Sequence, residues 1–182
     1  MRASLADQGL LIGLGANLPS AAGSPRQTLL AVRPLLAAQL QAWAGASLRL
    51  HWSPLYRTAP LGGPPDQPDY LNAVLLVAGT AAPEAAAALA LLEQLQQLEL
   101  QFQRQRLVHW GPRTLDLDLL AWGPLQLQEP RLQLPHPRWR ERSFVTEPLR
   151  ALQERLDEPL PLLPPAPPER LWPLPGGGGW PE

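Results

Sequence analysis

The stretch WGPRTLDLDLLAWG, Trp110 to Gly123, carries two aspartates separated by one residue in an otherwise mostly apolar run. Its period decides the fold. Read as a strand over Thr114 to Trp122, it sends Asp116 and Asp118 to one face and Leu115, Leu117 and Leu119 to the other, where they can anchor a core. The two β-carbons then lie roughly 7 Å apart. Carboxylates so placed repel each other unless something neutralises them. One answer is an exposed strand face with the aspartates paired to arginines. The other is one or two hard cations between them. Magnesium takes one or two carboxylates and completes its shell with water and substrate phosphate. Arg113 just before the strand, Arg104 and Arg106 in the preceding loop, and the flat surface of Trp110 suit a nucleotide polyphosphate.

Working outward, LLIGLG (Leu10 to Gly15) reads as a short buried strand ending in glycines, and Asn17-Leu18-Pro19 as a turn. Ser24-Pro25 is a helix start, and Leu29, Leu30, Val32, Leu36 and Leu40 give a helix from Pro25 to about Trp43. Pro34 is expected to kink or break it, and Gly45 to end it. Leu48 to Tyr56 reads as a strand, with Pro54 marking an edge position or a bulge. Thr58 to Asp69 is a Pro/Gly-rich loop and Tyr70 to Val77 a strong strand. A second helix is expected to open at Pro83 and run to about Gln101, with Leu89, Leu92, Leu95, Leu98 and Phe102 as its apolar stripe. Gln103 to Pro112 is an arginine-rich loop. Beyond the aspartate strand, LQLQEPRLQLPHP suggests a short hairpin or strand, and Ser143 to Leu152 a third helix interrupted by Pro148. Few, interleaved elements favour an α+β fold with an antiparallel or mixed sheet.

Composition narrows the chemistry. The chain has 182 residues, 45% of them hydrophobic, enough for one domain with a real core and a tail. Cysteine is absent, which excludes disulfides, thiolate metal sites and cysteine nucleophiles. All 15 basic residues are arginine, so a lysine-dependent P-loop is excluded. A net charge of −1 gives no field for nucleic acid or an anionic membrane. Neither a signal peptide nor a membrane-spanning run is found, so a cytoplasmic protein is expected.

Four segments, in order, resemble the 6-hydroxymethyl-7,8-dihydropterin pyrophosphokinase family of folate biosynthesis. They are IGLGANL (Ile12 to Leu18), SPLYRTAPLGGPPDQPDYLNAV (Ser53 to Val74), HWGPRTLDLDLL (His109 to Leu120) and LPHPRWRERSFVTEPL (Leu134 to Leu149). The resemblance runs from about Leu10 to Leu156. It implies a three-layer α/β/α sandwich of ferredoxin-like type, with a largely antiparallel central sheet. It implies transfer of pyrophosphate from ATP to the pterin hydroxymethyl group, releasing AMP. Asp116 and Asp118 match the family's ligands for two magnesium ions. Arg104, Arg106 and Arg113 match catalytic arginines. Gln96, Trp110, Arg113, Arg131, His136 and Arg142 match ATP-binding positions. Thr58, Ala59, Leu61, Tyr70, Asn72 and Phe144 match the pterin site, with Tyr70 and Phe144 stacking and Asn72 reading the edge. Glu99 matches a helix position near the ligands.

The chain departs from the family's pattern in two places. Ala16 stands where many members have serine, and Gln103 where a glycine often starts the catalytic loop. That loop, Arg104 to Trp110, is also a residue shorter than in common versions. A runner-up reading is therefore a catalytically impaired homologue that binds pterin or nucleotide. Nucleotidyltransferases share the D-x-D pattern but place a Gly-Ser turn just before it, which this chain lacks. A monomer is expected, with residues 1–158 as the catalytic domain. The tail, residues 159–182, reads as extended or disordered chain with little fixed structure, dispensable to an enzyme but not to a tail-dependent interactor.

Overall fold

The computed structural model describes residues 9–105, 110–156, 171–175 and 180. In chain order the elements are β1 (Leu10–Ala16), α1 (Pro25–Ala44), β2 (Arg49–Trp52), β3 (Tyr56–Thr58), β4 (Tyr70–Ala78), α2 (Ala85–Gln101), β5 (Asp116–Trp122), β6 (Leu127–Glu129), β7 (Leu132–Leu134), a 3₁₀ turn (Trp139–Glu141) and α3 (Ser143–Leu156). The main sheet has the order β2-β4-β1-β5, with β3 also on β4, and every pairing is antiparallel. With β2 and β3 counted as one interrupted strand, this is a β-α-β-β-α-β chain, the ferredoxin-like arrangement. The hairpin β6-β7 forms where the sequence suggests one.

Alternation along the strands builds two unequal cores. Leu10, Ile12, Leu14, Ala73, Leu75, Val77, Leu117 and Leu119 face α1 and α2, meeting Leu29, Val32, Leu36 and Leu40 of the first and Leu91, Leu95 and Leu98 of the second. Val74, Leu76 and Leu120 face the other way and pack on Trp139, Val145, Leu149 and Leu152 of the 3₁₀ turn and α3. Two helices, a sheet and a third helix thus make three layers. Fully burying each such leucine contributes about 1.5–3 kcal/mol.

Local signals explain most element ends, and packing overrides several. Ser24 and Gln27 form a reciprocal capping box at the start of α1, and Gly45 closes it at φ 60°. The expected break at Pro34 does not occur. Pro34 is exposed, so the Leu30 carbonyl that loses its amide partner can be hydrated while the buried stripe holds the helix. α3 likewise runs through Pro148, with Val145, Leu149 and Leu152 anchoring both sides. α2 opens at Ala85, two residues later than Pro83 suggests, with Glu84 extended before it.

The single strand expected over Leu48 to Tyr56 is divided. Trp52 pairs with Leu75 and Tyr56 with Asn72, so one extra residue is accommodated around Pro54, as a bulge requires. A second irregularity lies in β5. Leu11 pairs with Ala121 and Ile12 with Leu119, so Leu120 is skipped and Trp122 turns into the larger core.

Six residues of the tail, 171–175 and 180, are described. Pro173 bridges Tyr56, the Leu174 amide donates to the Leu55 carbonyl at 2.7 Å, and Trp180 is buried beside Trp52. Among the described residues, no helix is long and apolar enough to cross a membrane.

Candidate functional site

The α3 side of the sheet is not fully covered. Where α3 stops short, a cavity of about 490 Å³ opens over β4, β1 and β5. Its floor follows from strand alternation. Of the β1 residues on this face, Leu11 packs under α3, while Gly13 and Gly15 lie beneath the cavity and have no side chain to fill the space. Gly15 pairs with Asn72 on one side and with Asp116 on the other; Gly13 pairs likewise with Val74 and Asp118. Asn72 and Asp116 therefore flank a bare strip of main chain, about 10 Å apart across two strand spacings. Glycine at alternate positions inside a strand marks such a close approach.

At the β4 end stand Tyr70, Asn72 and Thr58, with Phe144 from the start of α3. The Asn72 amide nitrogen donates to Thr58 Oγ1 at 2.7 Å in a buried contact. Its Oδ1 is thereby turned over the floor, 2.9 Å from where a Cβ on Gly15 would lie. Tyr70 donates its hydroxyl proton to the Gly111 carbonyl at 3.1 Å, and burial raises its pKa. Ala59 and the exposed Leu61 line the rim.

At the β5 end, charge gathers. Asp116 accepts from Arg113 Nη1 at 2.6 Å and from Arg104 Nη2 at 3.3 Å. One aspartate is thus paired to arginines, as the plainer sequence reading supposed. Asp118 makes no salt bridge among the described residues. The charge of Asp116, followed by burial, pushes its carboxyl up to about 7. Such mutual repulsion is what a cation between the two would relieve. Among the described residues no cluster of three or more His, Asp or Glu could enclose a metal alone. Two carboxylates facing an open cavity fit an ion that takes its remaining ligands from water and phosphate.

Arg138, Arg142 and His136 complete this end. Arg142 forms no salt bridge among the described residues; its pKa is lowered, chiefly by burial. His136 Nδ1 accepts from the Arg138 amide at 3.2 Å, which leaves the imidazole proton on Nε2. Burial, then Arg142, holds this imidazole below its ordinary pKa, so it is neutral at pH 7. Four arginines against two aspartates make the cavity a receptor for anions.

Two loops form the upper wall. Gln67 Nε2 donates to the carbonyls of Gly62 at 3.1 Å, Pro64 at 3.2 Å and Trp110 at 3.2 Å. Gly63 has φ 78°, and a Cβ there would collide with the Trp110 carbonyl, so only glycine fits this approach. Arg138 lies 5.3 Å from the Trp110 ring centroid. Beneath them Asn17 accepts from the Arg113 amide and donates to the Pro68 carbonyl.

Thr58, Ala59, Leu61, Tyr70, Asn72, Arg104, Trp110, Arg113, Asp116, Asp118, His136, Arg142 and Phe144 therefore meet in one cavity. Gln96 and Arg131 do not line it; Arg131 pairs with Glu93 at 3.1 Å on the surface. Arg106 lies outside the described residues, as does most of the loop whose shortening the sequence suggests. Glu99 is buried and accepts from the Leu117 amide at 2.8 Å, satisfying the open edge of β5. Sequence reasoning missed Gly13, Gly15, Asn17, Gln67 and Arg138. The alternating glycines were a usable signal; nothing in PRWRER separates Arg138 from Arg140, which stacks on Trp139 instead.

Residues 11–154 match the family model described as 7,8-dihydro-6-hydroxymethylpterin-pyrophosphokinase. A 2-amino-4-hydroxy-6-hydroxymethyldihydropteridine pyrophosphokinase from Pseudomonas aeruginosa is 46% identical over 107 residues, 59% of this chain and 62% of that protein. One from Synechocystis is 36% identical over 141 residues, 78% of this chain and 64% of that protein. One from Pseudomonas putida is 40% identical over 125 residues, 69% of this chain and 91% of that protein. The match thus spans about six-tenths of the first two relatives' length and nearly all of the third's. On the matched residues and the site they build, the chain belongs to the 7,8-dihydro-6-hydroxymethylpterin-pyrophosphokinase family.

Proposed function

We propose that this protein transfers the terminal pyrophosphoryl group of ATP to the hydroxymethyl oxygen of 6-hydroxymethyl-7,8-dihydropterin, giving the pterin diphosphate and AMP. The observation that carries the reading is the division of one cavity into two ends over a glycine floor. Tyr70, Asn72, Thr58 and Phe144 suit a flat heterocycle; Asp116, Asp118 and the arginines suit a polyphosphate.

In this reading the pterin lies on the floor between aromatic rings, and Asn72 bonds its edge. Its hydroxymethyl group then points along the floor towards β5. Arg104 and Arg113 turn from Asp116 to the phosphate oxygens as the nucleotide arrives, joined by Arg138 and Arg142. The His136 Nε2 proton is donated to a phosphate oxygen. Charge developing on the transferred group is met by groups already in place, which is the larger part of catalysis in phosphoryl transfer. Asp116 and Asp118 hold two magnesium ions, which supply neutralisation and orientation of the reacting oxygens. Trp110 and the Gly62–Gly63 turn close over the cavity and exclude water. Arg106, outside the described residues, is proposed as a catalytic arginine on the family resemblance alone; Gln96 and Arg131, outside the cavity, are assigned no ligand contact. The protein acts as a monomer in the cytoplasm, without nucleic acid or membrane.

The test is AMP formation from ATP and magnesium with and without the pterin. AMP appearing only with the pterin supports the reading. A folded protein that binds pterin but forms no AMP would establish the runner-up, a binding homologue. Failure to bind either ligand would reject both.

A further inference from the structure

The corner between β2 and β3 interrupts the pairing of the main sheet. It lies on the sheet edge, is bulged at Pro54, and continues into a strand of only three residues. Its carbonyls have unusual partners. Arg155 Nη2 donates to the Trp52 carbonyl at 2.7 Å, Trp180 Nε1 to the Ser53 carbonyl at 2.8 Å, and the Leu174 amide to the Leu55 carbonyl at 2.7 Å. All three donors come from the C-terminal part of the chain. Pro173 adds a bridge to Tyr56. The Trp180 ring stands edge-on to Trp52 at 5.8 Å, and the Arg33 guanidinium from α1 lies 5.0 Å and 5.2 Å from the two ring centroids. The corner is thus clamped between α1, the end of α3 and the tail.

What the clamp holds leads directly to the cavity. Tyr56 pairs with Asn72 and Thr58 with Tyr70, and Thr58 Oγ1 fixes the Asn72 amide. Two residues, Tyr56 and Arg57, separate Leu55 from Thr58. A shift of the corner would move Thr58 and release Asn72, whereas Asp116 and Asp118 sit on β5, separated from the corner by β4 and β1.

We infer that Trp180 and Leu174 are positioning residues for the Thr58–Asn72 end of the cavity, so that the tail is a working part of the domain. The assignment of that end to the pterin rests on the proposed function. The experiment compares Trp180→Ala and Trp180→Phe with the wild-type full chain. Phe keeps the ring against Trp52 and Arg33 but removes the N–H bonded to Ser53. Amide hydrogen exchange at residues 56–58 and 70–72 is read together with the KM values for pterin and Mg-ATP.

The expected result is faster exchange in these two segments and a pterin KM raised about tenfold in the Ala variant, the size expected when a buried acceptor loses its donor. The Phe variant should show a smaller change in the same direction, with kcat and the Mg-ATP KM unchanged. Unchanged exchange at 56–58, or equal loss of pterin and ATP affinity, would overturn the inference. If the wild type fails to bind pterin, the proposed function falls, and the exchange data alone decide whether the tail holds the corner.

Discussion

Asn17 and Arg113 are bonded to each other through both main chain and side chain. The Asn17 amide donates to the Arg113 carbonyl at 2.9 Å, and the Arg113 amide donates to Asn17 Oδ1 at 2.7 Å. The other side-chain group of Asn17 holds Pro68, so one buried residue at the end of β1 aligns the arginine beside Asp116 and the loop before β4. Asn17→Ala should cost about 1–3 kcal/mol, lowering the melting midpoint by about 2–4 °C per kcal/mol for a chain of this size. It should also reduce kcat/KM. Asn17→Asp should not rescue it, because the donor to Pro68 is lost and a charge is buried. Wild-type stability in the Ala variant would refute this role.

The two floor glycines should respond differently to one added methyl group. At Gly15 a Cβ would stand 2.9 Å from Asn72 Oδ1, whose amide is already held by Thr58. Gly15→Ala should therefore weaken pterin binding by about tenfold or more, as expected when a fixed polar contact is displaced. At Gly13 the nearest atom is Leu120 Cδ1 at 3.5 Å, an ordinary contact. Gly13→Ala should leave stability unchanged or raise it by about 0.5 kcal/mol. Calorimetric titration and thermal melts of both variants would separate the cases.

The same face also predicts a pH signature. Without a cation Asp118 titrates near 7 in the folded protein; in an unfolded chain aspartate titrates near about 3.9. Between these values the folded protein retains a proton that the unfolded chain has released. Stability from this group therefore falls as pH rises through that window and stays low above it. Asp118→Asn cannot ionise and escapes the loss. Melted without metal at pH 8 it should exceed the wild type by about 3–6 °C, with the gap closing towards pH 4.5. A gap independent of pH would count against the carboxylate as its source.

Activity should move the opposite way. Asp116→Ala and Asp118→Ala should each lower kcat by about a thousandfold or more, the scale seen when transition-state charge loses its stabilising partner. Circular dichroism should show the fold retained. Near-normal turnover in both variants would sink the magnesium assignment.

Gln103 has φ 64°, the left-handed conformation, at the position where the family resemblance implies a glycine. Its side chain accepts from the Ala21 amide at 3.0 Å, which ties the loop start to the turn after β1. Gln103→Val should cost about 1–3 kcal/mol, since a β-branched residue is strained there and loses that bond. Gln103→Gly should cost far less. Denaturant unfolding of the pair would show whether backbone strain or the lost bond dominates.

Much of this was legible in the sequence because the signals were local. Two aspartates in a leucine strand, a Ser-Pro helix start and a Pro/Gly loop each obey rules acting over a few residues. What escaped depends on partners far along the chain. Pro34 and Pro148 interrupt nothing because buried stripes on both sides hold their helices. Asn17 looked like an ordinary turn residue until Arg113, 96 positions away, closed on it. Trp180 sat in a low-complexity stretch, yet its indole meets a carbonyl 127 positions earlier. Arg131, matched on sequence alone, pairs with Glu93 on the surface, a position that only the folded structure reveals.

The floor formed by Gly13 and Gly15 bears on inhibitor design. A compound pressed against that strip would touch main chain alone. Substitution there can only add bulk, and at Gly15 added bulk strikes Asn72 as well as the compound. An escape variant at this position would thus exclude the natural ligand along with the drug. Resistance should arise more readily at the rim, where Leu61 is exposed and its replacement displaces no polar partner.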